Sequence, residues 1–106
     1  MTTSQTLLSW NVNGIRAAAK KGFVNWLDAA APDILCLQET RAEAHQVPAE
    51  IRDHLGYHTD WNHSKARKGY SGTGLLTREE PLAVQHDLGV EAFDQEGRTL
   101  IAEYPS

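Results

Sequence analysis

Ile34-Leu35-Cys36-Leu37 is an unbroken apolar run, opened by Pro32-Asp33 and closed by Gln38-Glu39-Thr40. A short run of that kind predicts a strand buried on both faces. Leu7-Leu8-Ser9-Trp10 predicts another, ending in Asn11-Val12-Asn13-Gly14. Between them, Arg16 to Ala31 reads as helical, with Phe23, Trp26, Leu27 and Ala30 on one face and Gly22 as an interruption. Pro32 ends it. Pro48 to Leu55 predicts a short helix, with Pro48 near its start and Gly56 after its end. Tyr57 to Trp61 predicts a strand and Ser64 to Tyr70 a polar, basic loop. Three further strands are predicted over Gly72 to Thr77, Ala83 to Leu88 and Arg98 to Tyr104, with the glycines and acids between Gly89 and Gly97 forming the connection before the last one. The order β-α-β-α-β followed by three strands predicts an α/β protein with a mixed sheet.

Two of these strands deliver polar groups where they run out. In open α/β sheets, chemistry collects beyond the carboxyl ends of strands. Glu39 sits at such an end, and a carboxylate there can hold a hard divalent cation. Asn11 and Asn13 are spaced i, i+2, which points both amides to one face. On the residues alone, a plain turn role for the two Asn and a solvated strand-end acid at Glu39 stand beside the functional reading.

At 106 residues and 41% hydrophobic, the chain suits one ordinary domain and is neither disordered nor a membrane protein. The first six residues carry no basic side chain and no apolar core, so they are not a secretory signal. Cys36 is the only cysteine; it excludes an internal disulfide and reads as an inert core thiol. A cytoplasmic protein is expected. The net charge of −4 hides a division. Residues 1–78 hold nine Lys/Arg and seven Asp/Glu, a balance of +2, while residues 79–106 hold Arg98 against seven acids, a balance of −6. The bases cluster at Arg16, Lys20 and Lys21, and again at Lys65, Arg67 and Lys68. Phosphate contacts need local positive charge, not a basic whole protein. The five histidines fit no metal-ligand spacing and read as surface residues.

SWNVNGIRA, PDILCLQET, GYSGTGLLT and DQEGR, in this order, resemble the exonuclease III family of apurinic/apyrimidinic endonucleases, within the endonuclease/exonuclease/phosphatase superfamily. The resemblance runs from about Leu7 to Tyr104. It implies the first half of a four-layer αββα sandwich, so that residues 1–106 would be the N-terminal portion of a single domain. It implies a metal-dependent nuclease that cuts double-stranded DNA 5′ to abasic sites and trims 3′ ends, acting as a monomer when complete. Asn11 and Glu39 would line the Mg²⁺ (or Mn²⁺) site, whereas ligation by Asn13 is in question because some relatives carry Asp there. Arg16, Gly69, Tyr70 and Arg98 would contact DNA, joined by Lys20, Lys21 and Arg41, the last standing where many relatives have Lys. Glu96 would play a structural part beside Arg98. The family's later catalytic blocks have no counterpart in these residues, so the chain alone is expected to be inactive. A non-catalytic DNA-binding or complementation half-domain is the alternative.

Overall fold

The computed structural model describes residues 4–105. The apolar run forms β2 (Ile34–Gln38), and the first strand forms β1 (Leu7–Asn11), parallel to it and in register Leu8 to Leu35. A parallel pair needs a crossover. The helices α1 (Ile15–Lys20) and α2 (Phe23–Ala30) supply it, separated at Gly22 as the sequence predicts. A 3₁₀ turn (Ala44–Gln46) and α3 (Ala49–Arg52) lead to β3 (His58–Asn62) and then β4 (Thr73–Thr77). The sheet order is β1-β2-β4-β3, with β4 antiparallel to both neighbours. β5 (Ala83–His86) and β6 (Leu100–Glu103) form a separate antiparallel pair, linked through α4 (Glu91–Asp94). β6 packs against β3 and β4. The mixed α/β class is as expected.

Pairing register assigns the faces, because residues opposite one another point the same way. Leu8, Leu35, Leu37, Leu76 and Trp61 therefore look toward the helices. There they meet Ile15, Ala18, Phe23 and Leu27 of α1 and α2, with Val47 and Ile51 from the next segment. Trp10 stacks on Phe23 at a centroid distance of 5.6 Å and meets Trp26 edge-on at 5.0 Å. The opposite face carries Ile34, Cys36 and Gln38, all half-buried. Thus β2 is fully buried on its helix side only, which corrects the expectation of burial on both faces. Its other face is covered in part by the β5–β6 pair, which leaves a cleft of about 180 Å³ lined by Cys36, Gln38, Thr73, Leu75, Arg98 and Leu100. Burial raises the Cys36 thiol pKa, in keeping with an inert cysteine.

Two other features go beyond the sequence reading. The connection from Gly89 to Gly97 contains the short helix α4: its acid Asp94 accepts backbone N–H bonds from Leu88, Gly89 and Val90 at 2.8–2.9 Å and so closes the turn that starts it. His54 is half-buried and tied down on both ring nitrogens rather than free on the surface. Its Nδ1 accepts the Gly56 N–H at 2.9 Å, which leaves Nε2 to donate to Asp28 at 2.8 Å and tie the α3 end to α2. No helix among the described residues is long and apolar enough to cross a membrane.

Candidate functional site

β1 and β2 run parallel, so their carboxyl ends lie side by side and present Asn11 and Glu39 together. The Asn11 side-chain amide donates to Glu39 Oε2, and Asn11 Oδ1 accepts the Asn13 backbone N–H at 3.0 Å. The Arg41 guanidinium approaches Glu39 Oε1 at 3.5 Å. The Asn11 hydrogen bond, followed by the positive charge of Arg41, holds the Glu39 carboxyl below its ordinary pKa; Arg98 adds to this from further away. Glu39 stays ionised while its side chain remains 38% exposed, so a ligand can reach it.

The backbone here is unusual. Asn13, Glu39, Arg41 and Ser71 all adopt left-handed φ angles, between 50° and 55°. For Glu and Arg such a conformation costs about 1–3 kcal/mol each and persists only where the surroundings fix it. They are fixed by backbone hydrogen bonds from Gly14 N–H to Glu39 O (2.8 Å), Ile15 N–H to Thr40 O (3.0 Å) and Arg41 N–H to Ser71 O (2.7 Å). These bonds lock the ends of β1 and β2 to the segment that enters β4. Strain concentrated on the residues that carry the candidate chemistry is itself a sign of a site.

The basic groups divide. Arg16, in the first turn of α1, donates to the Arg41 carbonyl at 3.0 Å and so belongs to the Glu39 group. Arg98 donates to Glu96 at 2.8 Å and to the Tyr70 hydroxyl at 3.2 Å. Arg98, followed by the Tyr70 hydroxyl, lowers the Glu96 pKa by hydrogen bonding, so this carboxylate fixes both of its neighbours. Gly97 makes the arrangement feasible: a Cβ there would fall 2.2 Å from the His63 carbonyl. Gly69 is exposed just before Tyr70, with φ 69°. Lys20 and Lys21 stand apart, at the end of α1. Lys21 instead lines a cleft of about 320 Å³ with Trp10, Asn13, Phe23 and Trp26, and neither lysine bonds to the Glu39 group among the described residues. One feature that sequence reading misses is Asn62, which donates to Asp87 and to the Thr99 carbonyl, both at 2.8 Å, and anchors the second sheet. Its position in a strand of mixed polar residues gives no signal of that role.

Residues 8–105 match the Endonuclease/Exonuclease/phosphatase family. The chain belongs to that family. It is 46% identical over 99 residues to the exodeoxyribonuclease of Bacillus subtilis, covering 92% of this chain and 38% of that protein. It is 44% identical over 100 residues to the DNA repair nuclease APEX1 of Danio rerio, covering 93% of this chain and 32% of that protein. The structure of an AP endonuclease from Archaeoglobus fulgidus superposes with a TM-score of 0.79 at 33% identity, covering 93% of this chain and 37% of that one. The chain thus spans about a third of the length of the curated relatives it matches.

Members of this family are generally divalent-metal dependent. Among the described residues, no three His, Cys, Asp or Glu side chains gather where they could enclose a metal. The donor chemistry still fits a shared site. Mg²⁺ keeps several waters and typically takes only one or two protein carboxylates together with substrate phosphate. Glu39 is such a carboxylate, ionised and reachable. Asn11 turns its amide nitrogen toward Glu39, so in this arrangement it orients that carboxylate.

Proposed function

We propose that these residues form the N-terminal part of the single catalytic domain of a DNA-repair nuclease, one that cuts the phosphodiester 5′ to an abasic site and also trims 3′ ends. The observation that carries the reading is the ionised Glu39, held by Asn11 and Arg41 on strained backbone at the joined ends of β1 and β2. The names of the relatives support the substrate: a DNA repair nuclease, an exodeoxyribonuclease and an AP endonuclease.

In this reading Glu39 binds Mg²⁺, or Mn²⁺ in its place, and Asn11 keeps the carboxylate aimed. The bound ion supplies Lewis-acid stabilisation of the charge that builds on the phosphate during hydrolysis. Arg16 and Arg41 lie beside the carboxylate and neutralise DNA phosphates there. Tyr70 and Arg98, fixed by Glu96, do so on the neighbouring surface, with Gly69 allowing close backbone approach. Lys20 and Lys21 contribute positive charge further along the duplex. The complete protein acts as a monomer.

The test uses the full-length protein on a duplex carrying one abasic site, with Mg²⁺ or with chelator. Metal-dependent incision on the 5′ side, absent from undamaged duplex, is the expected result. A metal-dependent enzyme that releases phosphate from small phosphomonoesters and leaves the duplex intact would sink the DNA reading.

A further inference from the structure

Lys65, Arg67 and Lys68 form one basic run in the sequence, but the structure separates their roles. The Lys65 ammonium pairs with Asp87 at 2.9 Å and donates to the Asp94 carbonyl at 3.4 Å, so its charge is used within the fold. Arg67 has no carboxylate within ion-pair distance among the described residues. Its guanidinium instead lies over the Tyr70 ring, 4.8 Å from the centroid, while Arg98 approaches the same ring at 5.8 Å. The loop beneath is firmly anchored. Lys65 and Ala66 both donate backbone N–H bonds to the Gln95 carbonyl, at 2.8 and 3.0 Å, and Arg67 N–H donates to Ser64 Oγ at 3.1 Å.

The cation–π contact over the Tyr70 ring uses no N–H donor of the Arg67 guanidinium in an ion pair among the described residues. The N–H edges stay available, and they match two phosphate oxygens in a fork. A stacked arginine on an anchored loop also loses less freedom on binding than a freely rotating one. Arg41 and Arg98 each share their charge with a carboxylate of the site; Arg67 does not.

We propose that Arg67 is a DNA phosphate contact, held ready by the Tyr70 ring, and that it extends the binding surface outward from Tyr70 along one strand. This rests on the nucleic-acid reading of the site. It gives Tyr70 two jobs: its hydroxyl meets Arg98 and its ring organises Arg67.

The experiment measures duplex affinity of the full-length protein against salt concentration for wild type, Arg67→Gln, Arg67→Lys and Tyr70→Leu, and for the double variant of Arg67→Gln with Tyr70→Leu. Arg67→Gln should bind on the order of tenfold more weakly at low salt and lower the salt slope by about one unit. Arg67→Lys should keep the slope, since the charge remains, yet recover only part of the affinity because ammonium lacks the planar stack. In the double variant the two losses should be less than additive. Wild-type affinity and slope in Arg67→Gln, with the wild-type protein binding duplex, would overturn this proposal and leave the proposed function standing. Failure of the wild-type protein to bind duplex would overturn both. Full recovery of affinity by Arg67→Lys would overturn the part assigned to the ring.

Discussion

Glu39 carries a charge that its neighbours keep in place, and this has a pH consequence. Its folded pKa lies below the ordinary carboxylate value, chiefly because Asn11 donates to it. A depressed folded pKa means that the ionised form, and the stabilisation tied to it, is fully present above the ordinary value. It is lost as pH falls through the lowered one. Asn11→Ala removes the leading cause and returns the Glu39 pKa toward the ordinary range. Metal-dependent activity of the full-length variant should therefore fail at a higher pH on the acid side than in wild type, with little change near neutrality in how the carboxylate titrates. An acid limb unmoved by Asn11→Ala would show that Asn11 does not tune Glu39. At this scale the sequence was informative about which residues to watch, since a strand-end Glu and paired amides are local patterns. It grouped Arg67 with Lys65 and Lys68 in one basic run and could not set it apart, because the Lys65 pairing with Asp87 and the anchoring of the loop on Gln95 join segments distant in the chain.

At the scale of elements, the strands and the Gly22 break between α1 and α2 follow from apolar runs and punctuation alone. The part that was not legible is the asymmetry of β2. Periodicity reads four consecutive apolar residues as buried on both faces, whereas burial of the second face depends on how much of the β5–β6 pair lies over it. α4 was missed for a related reason: four residues held by one Asp side chain leave no helical period to detect. Sheet geometry also imposes a local demand at β4. A Cβ on Gly74 would fall 2.5 Å from the Trp61 ring, which lies across that glycine from β3. Gly74→Ala should thus destabilise the sheet by about 1–3 kcal/mol through overpacking, measurable by denaturant unfolding of the full-length protein. A neutral result would mean that Trp61 has another rotamer open to it.

The described residues build a four-stranded sheet with helices on one face and a separate two-stranded pair. Leu82, Leu88, Phe93 and Ile101 remain exposed, and the outer edge of β1 is unpaired among the described residues. Exposed apolar surface and open edges favour association. Net stability is only about 5–15 kcal/mol even in intact domains, so apolar surface left uncovered on this scale can consume it. Residues 1–106 on their own should accordingly associate or melt without a cooperative monomeric transition, and should not cleave abasic duplex. Solution mass and thermal unfolding check the first statement; a sharp monomeric transition would refute it. The family was legible over nearly the whole chain because four short blocks occur in order, although each alone says little.

The central claim is that Glu39 holds the catalytic metal, and a Mg²⁺ titration of abasic-site cleavage by the full-length protein tests it most directly. Glu39→Gln preserves size and removes the anionic oxygen, leaving the helix-side core untouched. The Mg²⁺ concentration for half-maximal rate should rise by about tenfold or more, the scale on which perturbing a metal site weakens metal affinity. The cleavage rate at limiting metal should collapse while the unfolding midpoint stays near that of wild type. A Glu39→Gln enzyme with an unchanged metal requirement and unchanged rate at limiting Mg²⁺ would contradict the account.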